Sequence, residues 1–220
     1  MRMLLLFFLS FFANTHEFKS YEAKFQFEAR GFSFPLDRYF TVKEGSINTR
    51  IKMNIFFSRY SIDSDFYIDG RSVISKKTSV KNPFRDDPKK FSLLFNGRSI
   101  NSEELGTFTA ETDVLEQLAS DVQVRLNAVN GINQYSLDIF DNAKGKVIQK
   151  NYKLTSEEEI NTPFGPVKTL VIEATASEVG PIIYYIAPEL DYLIIQSMAI
   201  LKNGEKRILS LKEKPKFLEE

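Results

Sequence analysis

Tyr184-Tyr185-Ile186-Ala187-Pro188-Glu189-Leu190-Asp191-Tyr192-Leu193 and, upstream, Thr162-Pro163-Phe164-Gly165 decide how the second half of this chain is read. Proline has no amide to give a sheet ladder, so Pro163, Pro166, Pro181 and Pro188 mark connections between strands. The apolar runs left between them are strands at 146–160, 167–177, 182–186, 193–201 and 207–211, with another at 135–140. Pro163 fixes φ and Gly165 permits a tight corner, so Thr162 to Gly165 is a structural turn before it is a ligand contact. Asn203-Gly204 closes the last hairpin, and the charged stretch 212–220, with Pro215, is expected to fray.

Working outward, the first half has the same two-residue period. Ala23, Phe25, Phe27 and Ala29 alternate with Lys24, Gln26 and Glu28, and the pattern returns at Ile47 to Ile55 and Phe91 to Phe95. Successive strand side chains point to opposite faces, so each run is half-buried. Glu44-Gly45, Asp69-Gly70 and Asn96-Gly97 supply residues that accept the positive φ of hairpin turns. One segment departs: Val114, Leu115, Leu118, Val122, Leu126 and Val129 fall at helical spacing. Asp113 with Glu116 resembles a capping box, and Asn130-Gly131 resembles a helix stop. The reading is mainly β: about ten strands in a curled antiparallel meander, barrel-like or a half-open clam, with one covering helix over 113–129. Curling hides edges that would otherwise pair with other chains. Residues 16–211 form a single domain.

The start has the layout of a secretory signal. Met1-Arg2 is followed by an apolar run over 3–13, interrupted only by Ser10, then by Asn14, Thr15 and His16. Residues 1–15 are therefore expected to be removed after Thr15 or Ala13, delivering the chain to the periplasm; the alternative is an uncleaved anchor. No later stretch is apolar enough to span a membrane.

Composition removes several chemistries. The 29 Lys and Arg balance 29 Asp and Glu, so no net field draws the chain to nucleic acid or an acidic membrane face. Lys76, Lys77, Lys81, Arg85, Lys89 and Lys90 are interrupted by Asp86 and Asp87, as in a solvated loop. With no Cys and one His, beside the processing site, thiol catalysis, a Ser-His-Asp triad and His or Cys metal sites are disfavoured. No Gly-rich loop opens a helix to cradle a nucleotide. No catalytic residue, metal or cofactor is assigned. Paired carboxylates for glycan hydrolysis remain an alternative, drawn from Asp63, Asp65, Asp69, Glu173, Glu189 and Asp191. Phe56 and Phe57 are expected on opposite sheet faces. Phe57, Tyr60, Tyr67, Tyr185 and Tyr192 are the candidate ligand-binding residues, whose rings and hydroxyls suit a polysaccharide or a lipid-like amphiphile.

Five stretches together resemble the DUF3108 family of exported bacterial proteins: Gly31 and Leu36; Ser64-Asp65-Phe66-Tyr67-Ile68-Asp69-Gly70; Asp113; Glu158 to Gly165; and Tyr185 to Leu193. The resemblance covers nearly all of the chain after the leader. It implies a β-rich periplasmic protein of gram-negative bacteria without assigned catalytic residues. Tyr185 stands where the family often has Trp, the Pro and Tyr expected after Gly70 are absent from 73–80, and no Trp lies near Asn96. The expected function is non-enzymatic binding of an envelope glycan or amphiphile, with an envelope-polysaccharide hydrolase or a protein-interaction module as alternatives.

Overall fold

Alternation becomes sheet in β1 (Tyr21–Ala29), where Tyr21, Ala23 and Phe25 are buried while Glu22 and Lys24 face solvent. The computed structural model describes residues 16–177 and 179–219, so the expected leader lies outside the described residues. After β1 come β2 (Phe32–Lys43), β3 (Ser46–Ile55), β4 (Ser58–Asp69), β5 (Ser72–Lys81), β6 (Lys90–Asn96), β7 (Ser99–Ser102), β8 (Gly106–Thr109) and β9 (Val114–Leu115). Helix α1 (Gln117–Val129) follows, then β10 (Gln134–Asp141), β11 (Lys146–Thr162), β12 (Gly165–Ala176) and β13 (Val179–Ala187). A 3-10 turn (Pro188–Leu190) leads to β14 (Leu193–Ile200), β15 (Lys206–Leu211) and β16 (Lys216–Phe217).

All belong to one sheet, ordered β8-β7-β6-β5-β4-β3-β2-β1-β15-β14-β13-β12-β11-β10-β9, with β16 beside β1. Every described pairing is antiparallel except that of β9 with β10. The two sheet ends approach each other through the segment before α1: Val114 N donates to Gly97 O (3.2 Å) and Glu116 N to Ser75 Oγ (3.0 Å). The mainly β, curled architecture with one helix matches the sequence reading.

The helix fills the curl rather than lying over it. Leu126 packs into the largest apolar cluster with Phe25, Phe40 and Leu193; Leu118 joins Ile62, Leu93 and Phe140; Val124 joins Tyr152, Ile172 and Ile186. A helix buried on every side is held by its neighbours more than by its own propensity. Its end is a Schellman closure, with Gly131 at φ 66°, its N–H donating to Ala128 O and Ile132 N–H to Asn127 O.

Several expectations need correction. The helix starts at Gln117, not Asp113: Val114 and Leu115 are buried and paired with Asp138 and Ile139, which holds them extended. Glu116 is the N-cap, its carboxylate accepting the Ala119 N–H, so no capping box with Asp113 forms. Among the described residues sixteen strands stand where about ten were expected. β2 is hidden from pattern reading by Arg38, which points inward between Leu36 and Phe40. In β5 a bulge at Lys76 shifts the buried series from Val73 and Ser75 to Thr78 and Val80. Pro166 and Pro181 lie inside β12 and β13, near their first residues, where a missing amide is tolerated. The expected fraying does not hold through Leu218: Phe217 pairs with Tyr21, and Leu218 N donates to Ser20 O. Phe56 and Phe57 do not face opposite sides of a strand; they form the β3–β4 turn. Phe56 has φ 50°, costing about 1–2 kcal/mol for a residue with a Cβ.

Candidate functional site

The single His and the motif around Asp191 meet at one end of the barrel. Pro188 opens the 3-10 turn, Leu190 is buried beneath it, and Asp191 adopts the left-handed conformation (φ 56°, ψ 39°). This bend carries the Asp191 carboxylate inward to three donors: His16 Nε2 at 2.7 Å, Lys19 N at 3.0 Å and Arg125 Nη2 at 3.3 Å. Arg125 Nη2 also donates to Asp191 O at 2.9 Å. Asp191 is therefore the clasp that ties residues 16–19 across the end of the barrel and onto α1.

Arg125 is 1% exposed, its guanidinium lying 4.2 Å from the Phe18 ring centre, 5.1 Å from Phe40 and 5.7 Å from Tyr21. Burial pushes its pKa down, opposed by Tyr21 and the Asp191 charge. Among the described residues its Nε and Nη1 have no hydrogen-bond partner, and the same holds for Arg38 Nε and Nη2 and the Tyr21 hydroxyl. Arg38 Nη1 reaches Asp121 Oδ2 at 3.3 Å, so the interior holds two inward arginines, one from β2 and one from α1. Burial raises Asp121, against the pull of Arg38, and lowers Lys150 nearby. Glu116 is also fully buried; burial pushes its pKa up to about 7 although the Leu118 and Ala119 amides favour its charge.

Beside the clasp opens a cavity of about 620 Å³. It is lined by Phe18, Val42, Ile47 and Ile68 together with His16, Glu17, Lys43 and Glu44. The turns at Gly45 and Gly70 edge the mouth, both with positive φ. Gln123 of α1 holds the second turn from inside, donating to Arg71 O (2.9 Å) and accepting from Val73 N (2.7 Å).

The five candidate aromatics do not converge here. Phe57 is fully exposed at the opposite end, and Tyr60 lies half-buried between two core clusters. Burial raises the Tyr60 pKa, so its phenol stays neutral. Tyr67 lies under Lys76 (4.6 Å), Tyr185 packs on the main core, and Tyr192 packs on another cluster with its ring edge-on to His16 at 5.7 Å. The acids are dispersed too. Asp63 and Asp65 share the Asn48 amide (2.8 Å each) on the outer sheet face, and Glu189 is exposed on the 3-10 turn. Among the described residues no group of three His, Asp or Glu is placed to hold a metal ion. Thr162 to Gly165 is a hairpin turn, with Thr162 Oγ1 donating to Gly165 O at 2.6 Å. Sequence reasoning passed over Phe18, Val42, Ile47 and Ile68; the signal for the last three was that the inward series of β2, β3 and β4 runs to the strand ends.

No family model matches the chain, and no curated protein matches it. Among solved structures it is similar to a β-barrel-like protein of the domain of unknown function DUF1849 from Brucella abortus, with a TM-score of 0.60. That likeness has 10% identity and covers 93% of this chain and 100% of the other. The fold is β-barrel-like. Two further similarities are with the Pseudomonas aeruginosa MucA/MucB complex (TM-score 0.42, 11% identity, 89% of this chain and 50% of that chain) and a DUF1329 family protein from Desulfovibrio piger (0.31, 11%, 93% and 87%). Among the described residues, no helix is long and apolar enough to cross a membrane.

Proposed function

We propose that this chain is an exported, periplasmic, non-enzymatic binding protein of the DUF3108 kind, and that its end cavity takes a lipid-like amphiphile. The observation that carries this reading is the cavity itself. About 620 Å³ falls within the roughly 300–1,000 Å³ usual for small-molecule sites, and its lining includes three aliphatic side chains and one aromatic ring. An acyl chain asks for apolar contact alone, whereas a glycan asks for hydrogen-bonding groups along its length. The lining supplies Phe18, Val42, Ile47 and Ile68 for that contact, and Lys43, Glu44, Glu17 and His16 beside them would meet a head group. The apolar run at 3–13, ending just before His16, supports export.

Native mass spectrometry of the protein isolated from the periplasm of a gram-negative host should show a co-purified adduct of a few hundred daltons. Ile68→Trp, which fills the wall, should reduce the adduct fraction about tenfold with the fold intact by circular dichroism. A bare mass for the wild-type protein under gentle ionisation contradicts the reading.

A further inference from the structure

The end of the barrel opposite the cavity carries phenylalanines that the core does not use. Four neighbouring connections lie there in sheet order: β5–β6, β3–β4, β1–β2 and β14–β15. Phe57 is fully exposed, Phe56 is 71% exposed, Phe84 61% and Phe32 56%. Phe32, Phe34 and Phe56 touch one another across two adjacent turns, with ring centres 5.6 to 6.3 Å apart. Their inner side continues the core, since Phe34 packs on it, but their outer side ends in water. Phe56 sits at a positive φ where Asn or Gly would be unstrained, so the local turn does not explain why an aromatic is there.

Charge is also uneven at this end. Residues 28–34, 54–59, 81–90 and 201–207 contain nine Lys and Arg against four Asp and Glu, in a chain whose totals are equal. The acids are Glu28, Asp86, Asp87 and Glu205, and Glu205 is already shared by Arg30 and Arg207. Net neutrality thus conceals a basic excess on these four connections, to which the β7–β8 turn at the same end adds the acids Glu103 and Glu104. Apolar rings that project from separate hairpin tips, on connections that also carry an excess of Lys and Arg, fit a soft anionic plane better than a shaped protein groove. Rings enter the headgroup and acyl boundary while Lys and Arg stay with the phosphates.

We propose that this end of the barrel docks on an anionic bilayer surface, with Phe57 and Phe56 as the inserting residues. The inference is independent of the cavity reading, because the two sites occupy opposite ends. The test is flotation of the purified protein with vesicles of phosphatidylglycerol and phosphatidylcholine, compared with phosphatidylcholine alone. The wild type should float with the anionic vesicles, release as salt is raised, and bind neutral vesicles at least tenfold more weakly. Phe57→Ser should lower anionic-vesicle affinity about tenfold, a fraction of the worth of one Phe removed from water. Phe56→Asn, which suits the turn, should do the same while leaving unfolding by urea no worse than wild type. No flotation, equal binding of neutral vesicles, or unchanged binding by both variants overturns the proposal. Sedimentation showing self-association that Phe57→Ser abolishes, without flotation, would assign the patch to a protein interface instead.

Discussion

Asp191→Ala should lower the stability of this protein by about 3–5 kcal/mol, the usual cost of leaving one partner of a buried ion pair alone. In a domain of this size that moves the thermal midpoint down by roughly 10 °C. The effect is large because Arg125 is 1% exposed among Phe18, Tyr21 and Phe40, with two of its nitrogens already unpartnered. Removing Asp191 strips the remaining acceptors from Nη2 except a backbone carbonyl, and also releases His16 and Lys19 from the clasp. A double-mutant cycle separates charge from packing. In an Arg125→Met background the same change should cost at least 2 kcal/mol less, since the stranded cation is gone. Equilibrium urea unfolding reads all four proteins; a loss below 0.5 kcal/mol for Asp191→Ala, on the order of a surface substitution, would remove Asp191 from its structural role.

The second large effect depends on pH. Glu116 is buried and its pKa is pushed up to about 7, above the ordinary 4.5 that it regains on unfolding. Between those values the folded state holds a proton that the unfolded state has released. Its contribution is therefore full well below 4.5 and is lost as pH rises through about 7, a swing of about 3 kcal/mol. Asp121 adds like charge to the same interior, while Arg38 opposes it. Glu116→Gln keeps an oxygen to accept the Ala119 N–H but cannot ionise. Urea unfolding should find it close to wild type at pH 4.5 and about 3 kcal/mol more stable at pH 8. Parallel pH profiles for the two proteins would mean that Glu116 ionises freely and that its burial is relieved.

Much of the barrel could be read before any coordinates, because period-two patterning and turn residues are local. Gly45, Gly70, Gly97 and Gly145 all fall at turns with positive φ, and β10 to β15 lie close to their expected limits. What escaped was long-range. Arg38 and Arg125 sit in apolar series, and only the assembled barrel shows that they point inward to Asp121 and Asp191. β7, β8, β9 and β16 have two to four residues each, too few to carry a period. Glu116 is a less usual N-cap than Ser, Thr, Asp or Asn, so Asp113 drew the helix start forward. The Asp191 motif was legible as a turn next to Pro188, but not as a clasp, because its partners His16 and Arg125 are 175 and 66 residues away. The cavity was unreadable for the same reason: its walls come from the strap at Phe18 and the ends of three strands.

Methyl-labelled isoleucine spectra during titration with lauric acid test most directly whether the hollow end of the barrel is a binding site. Saturable shifts of the Ile47 and Ile68 methyls, with Ile100 and Ile172 in the closed core unmoved, are the expected result. Spectra that stay unchanged, or that move only at residues away from the cavity, would contradict it.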